Sequence, residues 1–440
     1  MTRPLSRRAA LLGVAALLPA CDTLDGVFGE RKRPLLGDRQ AVRPPDPPIS
    51  ADAGTSAVAL PPAQPIADWP MSGGPPGHAP GHVALPDRLA VAWRGSAGSG
   101  SGYRQRITAG PVISGGTVYT VDARGAVVAH ALADGRQRWR ADTTPENESA
   151  TSLGGGAAVA DGTVYVATGL AEVLALDPAD GRVRWRVRLP APARGAPTVA
   201  GGRIFVPTTQ NELVALSVED GRRLWTHRAG SLSTIPLGLP APAVEGESVV
   251  AGFGTGELFA LRAADGRVLW AESVGSGNLS LADIVGIAGL PVIDRGRVIA
   301  VGVSNTAIAV DLRSGRRLWE RSFGSNAGVA TAGDVAFAVT RGGEAIAIGR
   351  EDGQIRWVSP LDPAPEGGRR REEPARFGQP LVGGGRVVVP SSRGELLLLD
   401  PANGAVAGRV PLGSGVTLPM AVAEGTLVAL ADDGTLIALR

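Results

Sequence analysis

One block, repeated seven times at intervals of 38 to 51 residues, limits what this chain can fold into more than any other feature. Its clearest copy reads Thr163-Val164-Tyr165-Val166-Ala167-Thr168, then Glu172-Val173-Leu174-Ala175-Leu176, then Asp180-Gly181-Arg182-Val183-Arg184-Trp185. These are three short β-rich runs divided by turn residues, and Asp-Gly supplies the positive φ that a tight hairpin needs. The turn glycine returns at Gly135, Gly181, Gly221, Gly266, Gly315, Gly353 and Gly404. Five residues before it stands His130, Leu176, Leu216, Leu261, Val310, Ile348 or Leu399. Four residues after it stands Trp139, Trp185, Trp225, Trp270, Trp319 or Trp357, and in the last copy Gly408.

Such runs are too short and too β-branched for a helical solenoid. Four short strands per repeat predict an all-β chain, a β-propeller of four-stranded blades. The ends supply the count. Gly434-Thr435-Leu436-Ile437-Ala438-Leu439 is a third strand with no fourth after it, and Leu89-Ala90-Val91-Ala92-Trp93 is a tryptophan strand with no unit before it. Joined, they make an eighth blade from both ends, closed by the N-terminal strand, and remove the open sheet edges. Trp93 and the six repeat tryptophans are therefore expected to be structural, packing between blades with their N–H groups bonded locally.

The N-terminus reads as an address. Residues 1–20 carry Arg3, Arg7 and Arg8, no acid, and an apolar run from Ala9 to Leu18 that is short for a membrane span but suits a signal peptide. The run ends in Leu18-Pro19-Ala20-Cys21, which resembles a bacterial lipobox, and Cys21 is the only cysteine in the chain. Cys21 is thus the expected lipidation site, which places the mature protein outside the cytoplasm on a lipid anchor. Asp22 resembles an inner-membrane retention signal of some lineages, so either membrane fits. Residues 21–66 are rich in proline and alanine and read as a flexible tether. As a coil, about 45 residues span roughly 35–40 Å. Residues 67–440 are then the propeller.

Charge and motif content exclude several classes. The formal net charge of +2 becomes −1 once residues 1–20 are set aside, and this leaves no footprint for nucleic acid. A single cysteine allows no internal disulfide and no Cys-x-x-Cys-His haem site. Asp180, Asp220, Asp265 and Asp352 hold equivalent turn positions, so turn chemistry explains them better than catalysis. His78 and His82 have a metal-like spacing, but Pro75, Pro76, Gly77, Pro80 and Gly81 deny them a helix. His130 is expected to be a satisfied, half-buried histidine. No phosphate loop, nucleophile elbow or zincin motif occurs. No catalytic residue, metal or cofactor is assigned.

The Ala175-Leu176-Asp177…Asp180-Gly181-x-x-x-Trp185 pattern resembles the quinoprotein-type (PQQ-like) propeller repeat, and Trp69-Pro70-Met71-Ser72-Gly73-Gly74 with His78 resembles the opening segment of such propellers. Lipobox, tether and eight blades together resemble the BamB-type lipoproteins of outer-membrane β-barrel assembly, over residues 21–440. Asp311-Leu312-Arg313-Ser314-Gly315 and the stretch Phe28-Gly29-Glu30 to Pro34-Leu35 add to that likeness. The resemblance implies a non-catalytic scaffold at the periplasmic face of the outer membrane, with the POTRA domains of BamA and other assembly components as partners. The alternative it leaves is a periplasmic quinoprotein-like dehydrogenase or ligand sensor binding PQQ in the central funnel.

Two loops stand out for a partner, because apolar residues in connecting segments suggest an interface. The first is Gly230-Ser231-Leu232-Ser233-Thr234-Ile235-Pro236-Leu237-Gly238-Leu239-Pro240, and the second runs from Asn278 to Ile287. Leu232, Ile235, Leu237 and Leu239 of the first, with Leu281 and Ile284 of the second, are the expected contacts. The family's two contact leucines and its arginine fall on Thr234, Pro236 and Leu237, so none is kept, although Gly238 is. A third insertion, from Pro360 to Phe377, carries mixed charge and reads as a solvated loop.

Overall fold

A computed structural model describes residues 48–55, 57–103, 105–145, 154–232, 238–275, 286–362 and 373–440. The described chain is all β, in eight four-stranded antiparallel sheets. Blades 1 to 7 occupy residues 112–141, 155–188, 198–228, 243–273, 292–321, 330–360 and 381–411, each in chain order from the inner to the outer strand. Blade 8 combines three C-terminal strands, residues 421–439, with Val91–Ser96 as its outer strand. Val91–Ser96 pairs antiparallel with Thr435–Leu439, Arg94 opposite Ile437. The inner strands of blades 8 and 1 meet and close the ring.

The repeat pattern follows from this geometry. Second and third strands have a neighbouring blade on each face, so Val164-Tyr165-Val166-Ala167 is buried throughout and shows no polar alternation. Outer strands have one free edge, and Arg138-Trp139-Arg140 buries the tryptophan between exposed arginines. Charge on a free edge discourages pairing with another chain. The residue five before each turn glycine marks a β-bulge, as at Ala175/Leu176, where the ladder to the outer strand slips by one.

Tryptophan and glycine form a latch between neighbouring blades, not a contact within one. The indole N–H of Trp93, Trp139, Trp185, Trp225, Trp270, Trp319 and Trp357 donates to a backbone carbonyl of the next blade, at distances between 2.7 and 3.3 Å. The acceptors are Leu132, Pro178, Val218, Ala263, Leu312, Arg350 and Pro401, all beside the Asp-Gly-type turn. The next blade's turn glycine lies flat against the same indole, so a Cβ there would come closer than 3.0 Å. Gly408 has a reason in this scheme. The blade after it is blade 8, whose third and fourth strands come from opposite ends of the chain, so no turn exists there to latch.

Residues 49–66, whose composition suggested a tether, belong to the propeller: the compact unit begins at Ile49. Asp52 exchanges hydrogen bonds with Ile355, and Val58 is buried in the core shared by blades 6 and 7. The chain then makes one circuit of the hub as a strap. Pro61 abuts Gly333 of blade 6. Ile66 O accepts from Glu424 of blade 8, Trp69 exchanges two 2.8 Å bonds with Ile113 of blade 1, and Pro70 O accepts from Val159 of blade 2. Met71 enters the core between blades 2 and 3. Pro76 O and Gly77 O accept from Val244 and Ile293 of blades 4 and 5, and Val83 pairs with Val382 of blade 7. The inner strand of each blade would otherwise leave a row of unpaired backbone groups facing the axis. The strap bonds to several of these edges in ring order.

His78 and His82 serve the strap. His82 Nδ1 lies 2.6 Å from Pro61 O, and its Nε2 accepts from Gly385 N at 2.9 Å. His78 is fully buried with Nδ1 2.8 Å from Pro291 O, and burial holds its pKa down at about 4, against the opposing effect of that hydrogen bond. Unfolded, the same imidazole takes a proton near 6.5. Its contribution to stability is therefore complete above pH 6.5 and is lost as pH falls toward 4, by roughly 3 kcal/mol in all. Denaturant midpoints measured from pH 7 to 4 are expected to fall accordingly, and His78→Gln should flatten that part of the slope. An equal slope in the variant would show that other groups set it. His130 departs from expectation: it is 2% exposed, not half-buried, its Nδ1 has no partner, and burial lowers its pKa.

Candidate interaction face

Strand direction gives the ring two unlike ends. One end carries the turns between first and second strands and the Asp-Gly-type turns, and the strap covers its centre through Asp68, Pro61 and Val83. The other end carries the turns between second and third strands and every connection from one blade to the next. Both leucine-rich loops are such connections, joining blade 3 to blade 4 and blade 4 to blade 5.

A buried polar group anchors the first loop. Asn211, 1% exposed, sits in a turn of blade 3 with φ of 61°, a left-handed conformation that asparagine tolerates better than most residues. Its amide donates to Gly230 O at 2.8 Å and Thr255 Oγ1 at 3.1 Å, and its carbonyl accepts from Gly254 N at 3.0 Å. Glu257 accepts from Gly230 N at 2.8 Å and from Thr255 Oγ1 at 2.6 Å. These bonds fasten the loop's start to blade 4. Its return is fixed where Leu239 N donates to Arg194 O at 3.1 Å. The second loop re-enters through Ile287 N to Phe253 O and Val303 N to Gly286 O. Beneath lies an aromatic cluster, His227 edge-on to Phe259 at 4.5 Å and Phe259 edge-on to Phe253 at 5.7 Å. Burial lowers the His227 pKa, and the nearby Glu257 charge partly opposes it.

The expected contact residues separate. Leu232 is half-buried at the start of the first loop. Leu239 is buried, 8% exposed, so it belongs to the molecule's own packing and not to an exposed patch. Ile235, Leu237, Leu281 and Ile284 lie outside the described residues, as do Cys21, residues 1–20 and most of the charged insertion. Asn211, Thr255 and Glu257 were not anticipated, and the only signal for them was an asparagine in the turn where blade 2 has Ala171, also at positive φ.

The axis was the other place to look for function, and the cavity beneath the strap is too small for the PQQ of the quinoprotein reading. Between the strap and the inner ends of the blades remains a cavity of about 20 Å³. Pockets for organic cofactors run to roughly 300 Å³ or more. Toward the connection-bearing end neighbouring blades pack closely through small residues: a Cβ on Gly156 would lie 2.7 Å from that of Ala109 and 2.6 Å from Ala196 Cα. Among the described residues no group of three potential metal ligands occurs.

The family model described as outer membrane protein assembly factor BamB matches residues 123–359 and 366–440. Among solved structures, BamB from Moraxella catarrhalis is similar with a TM-score of 0.64 at 18% identity, over 80% of this chain and 98% of that one. Quinohemoprotein alcohol dehydrogenase from Comamonas testosteroni is similar with a TM-score of 0.65 at 14% identity, over 84% of this chain and 80% of that one. A europium-containing methanol dehydrogenase gives 0.63 at 14% identity, over 82% of this chain and 89% of that one. At such identities the likeness is one of fold. No curated protein sequence matches the chain.

Proposed function

The chain belongs to the outer membrane protein assembly factor BamB family, and from that premise we propose that it is a non-catalytic scaffold lipoprotein of outer-membrane β-barrel assembly. In this reading Cys21 carries the lipid, and the propeller stands at the periplasmic face of the outer membrane. Its connection-bearing face holds the POTRA domains of BamA through the loops between blades 3, 4 and 5. The observation that carries the reading is the division of the ring's two ends. One is covered by the protein's own strap, and the other carries the anchored bases of the two connections whose sequences are rich in leucine. A rigid ring that orients a flexible partner reduces the freedom the partner loses on assembly, and no bond chemistry is required.

The direct experiment is affinity recovery from solubilised envelopes with the full chain as bait, in which BamA is the expected companion. Leu232→Asp combined with Leu237→Asp should lower that recovery about tenfold or more while thermal stability is kept. Unchanged recovery would move the contact away from the first loop. Leu239→Asp serves as the contrast, because a charge at that buried position should destabilise the fold itself. The dehydrogenase folds nearby keep a quinoprotein reading open to test. Saturable PQQ binding with dye reduction by the purified protein would reject the scaffold.

A further inference from the structure

Before it reaches the hub, the strap fills a groove on the rim between blades 5 and 6. Asp52 N donates to Ile355 O at 2.8 Å, and the Asp52 carboxylate accepts from Ile355 N at 2.8 Å and from Arg321 at 3.3 Å. Three residues earlier, Ile49 packs against the core cluster that holds Trp319. An extended segment with an apolar residue and an acid three positions on thus covers the edge of an outer strand. Ile355 and Trp319 are left only 8% and 7% exposed.

Blades 2 and 3 build the same place without the strap. A groove of about 450 Å³ lies there, lined by Val187, Leu189 and Leu216 together with Arg188, Arg222 and Arg223, and its walls come from these two blades alone. Counted from the turn glycines, Leu216 and Arg223 correspond to Ile348 and Ile355; counted from the tryptophans, Val187 corresponds to Arg321. The ladders agree. Leu216 stands opposite Arg223 as Ile348 stands opposite Ile355, each just after a bulge. Arg223 therefore turns its backbone N–H and C=O to the free edge, as Ile355 turns its own toward Asp52. Trp185, the latch of this junction, is half-buried, and its 3.3 Å bond is the longest of the seven.

Charge selects the occupant. No carboxylate lines the groove. Asp220 stands 3.9 Å from Arg222 with both side chains largely exposed, a pair of little strength. Where Asp52 meets the single guanidinium of Arg321, three arginines gather here.

We propose that the groove between blades 2 and 3 is a docking site for an extended acidic segment of a partner protein, with an apolar residue three positions before an aspartate or glutamate. The segment sits as Ile49 to Asp52 sit between blades 5 and 6. Its apolar residue lies on Val187 and Leu189, and its carboxylate accepts from the Arg223 N–H and a neighbouring guanidinium, a charge-assisted pairing. The site does not use the loops between blades 3, 4 and 5, so it stands independently of the scaffold reading.

The test adds a blocked, fluorescent peptide Ile-Ser-Ala-Asp-Ala-Gly-Thr, the sequence of residues 49–55, to the purified full chain. Anisotropy reads affinity, and a photo-crosslinking residue in place of the isoleucine reads position. Saturable binding with a Kd below about 1 mM and cross-links within blades 2 and 3 are expected. Asparagine in place of the peptide's aspartate should weaken binding about fivefold, and Arg222→Glu with Arg223→Glu about tenfold or more. Both arginines are exposed, so the double variant should keep its melting temperature, and the altered peptide needs no variant at all. Absence of saturable binding at millimolar peptide, cross-links on blades 5 and 6, or equal affinity for either altered partner overturns the proposal. So does a dimer of the full chain that the double variant dissolves, because the occupant would then be a second copy.

Discussion

Truncation after Gly434 is expected to abolish the folded state, not merely to lower its stability. The strand removed, Thr435–Leu439, lies between Thr426–Leu430 and the N-terminal strand Val91–Ser96, so both ladders of blade 8 are lost with it. Leu436, Ile437 and Leu439 are fully buried. At about 1.5–3 kcal/mol each, these three side chains alone approach the roughly 5–15 kcal/mol that a folded domain has in total. Arg440, which binds Leu132 O and Ala133 O of blade 1, goes as well. Loss of the β-sheet circular dichroism band and of a cooperative denaturant transition is the expected readout. A truncated chain that still unfolds cooperatively near the parent midpoint would mean that seven blades close without the eighth. Leu436→Ala is the graded version and should cost about 2–5 kcal/mol.

Gly353→Ala should be far more damaging than Gly162→Ala, although both replace a turn glycine at positive φ. Gly162 has φ of 65° and open space where a Cβ would go, so only backbone strain is added, roughly 1–2 kcal/mol. Gly353 has φ of 67°, and its Cβ would stand 2.6 Å from Trp319 Cγ. That indole is buried and held by its bond to Arg350 O, so it cannot step aside without breaking the latch. Overpacking of this kind adds about 1–3 kcal/mol. Chemical denaturation of the two variants side by side decides the matter. Equal losses would mean that the indole and the glycine are neighbours without being a latch.

The ring was legible because each blade repeats the same physical problem. Asp180-Gly181 and Trp185 recur for one geometric reason, and seven copies make the period visible. The meaning of Gly408 was not legible, because it depends on what the following blade lacks. The strap escaped for a related cause. Ile66, Trp69, Pro70, Pro76, Gly77 and Val83 each meet a different strand through one residue or two, so no periodicity builds up, and a proline-rich composition imitates a tether. The loop bases fell between these cases: leucines advertise a connection of interest, whereas Asn211 and Glu257 show their part only when two blades stand side by side.

A ring of eight similar wedges has a problem that its own repeats cannot solve, because any wedge could sit beside any other. The strap solves it. Every contact it makes differs in residue and shape, from Trp69 against Ile113 to His78 against Pro291, and the contacts follow one another around the hub. It acts as a keyed shaft that gives the wheel an index mark, assigning each wedge an azimuth. A surface displayed at one sector of the rim then always points the same way relative to the place where the chain enters the hub.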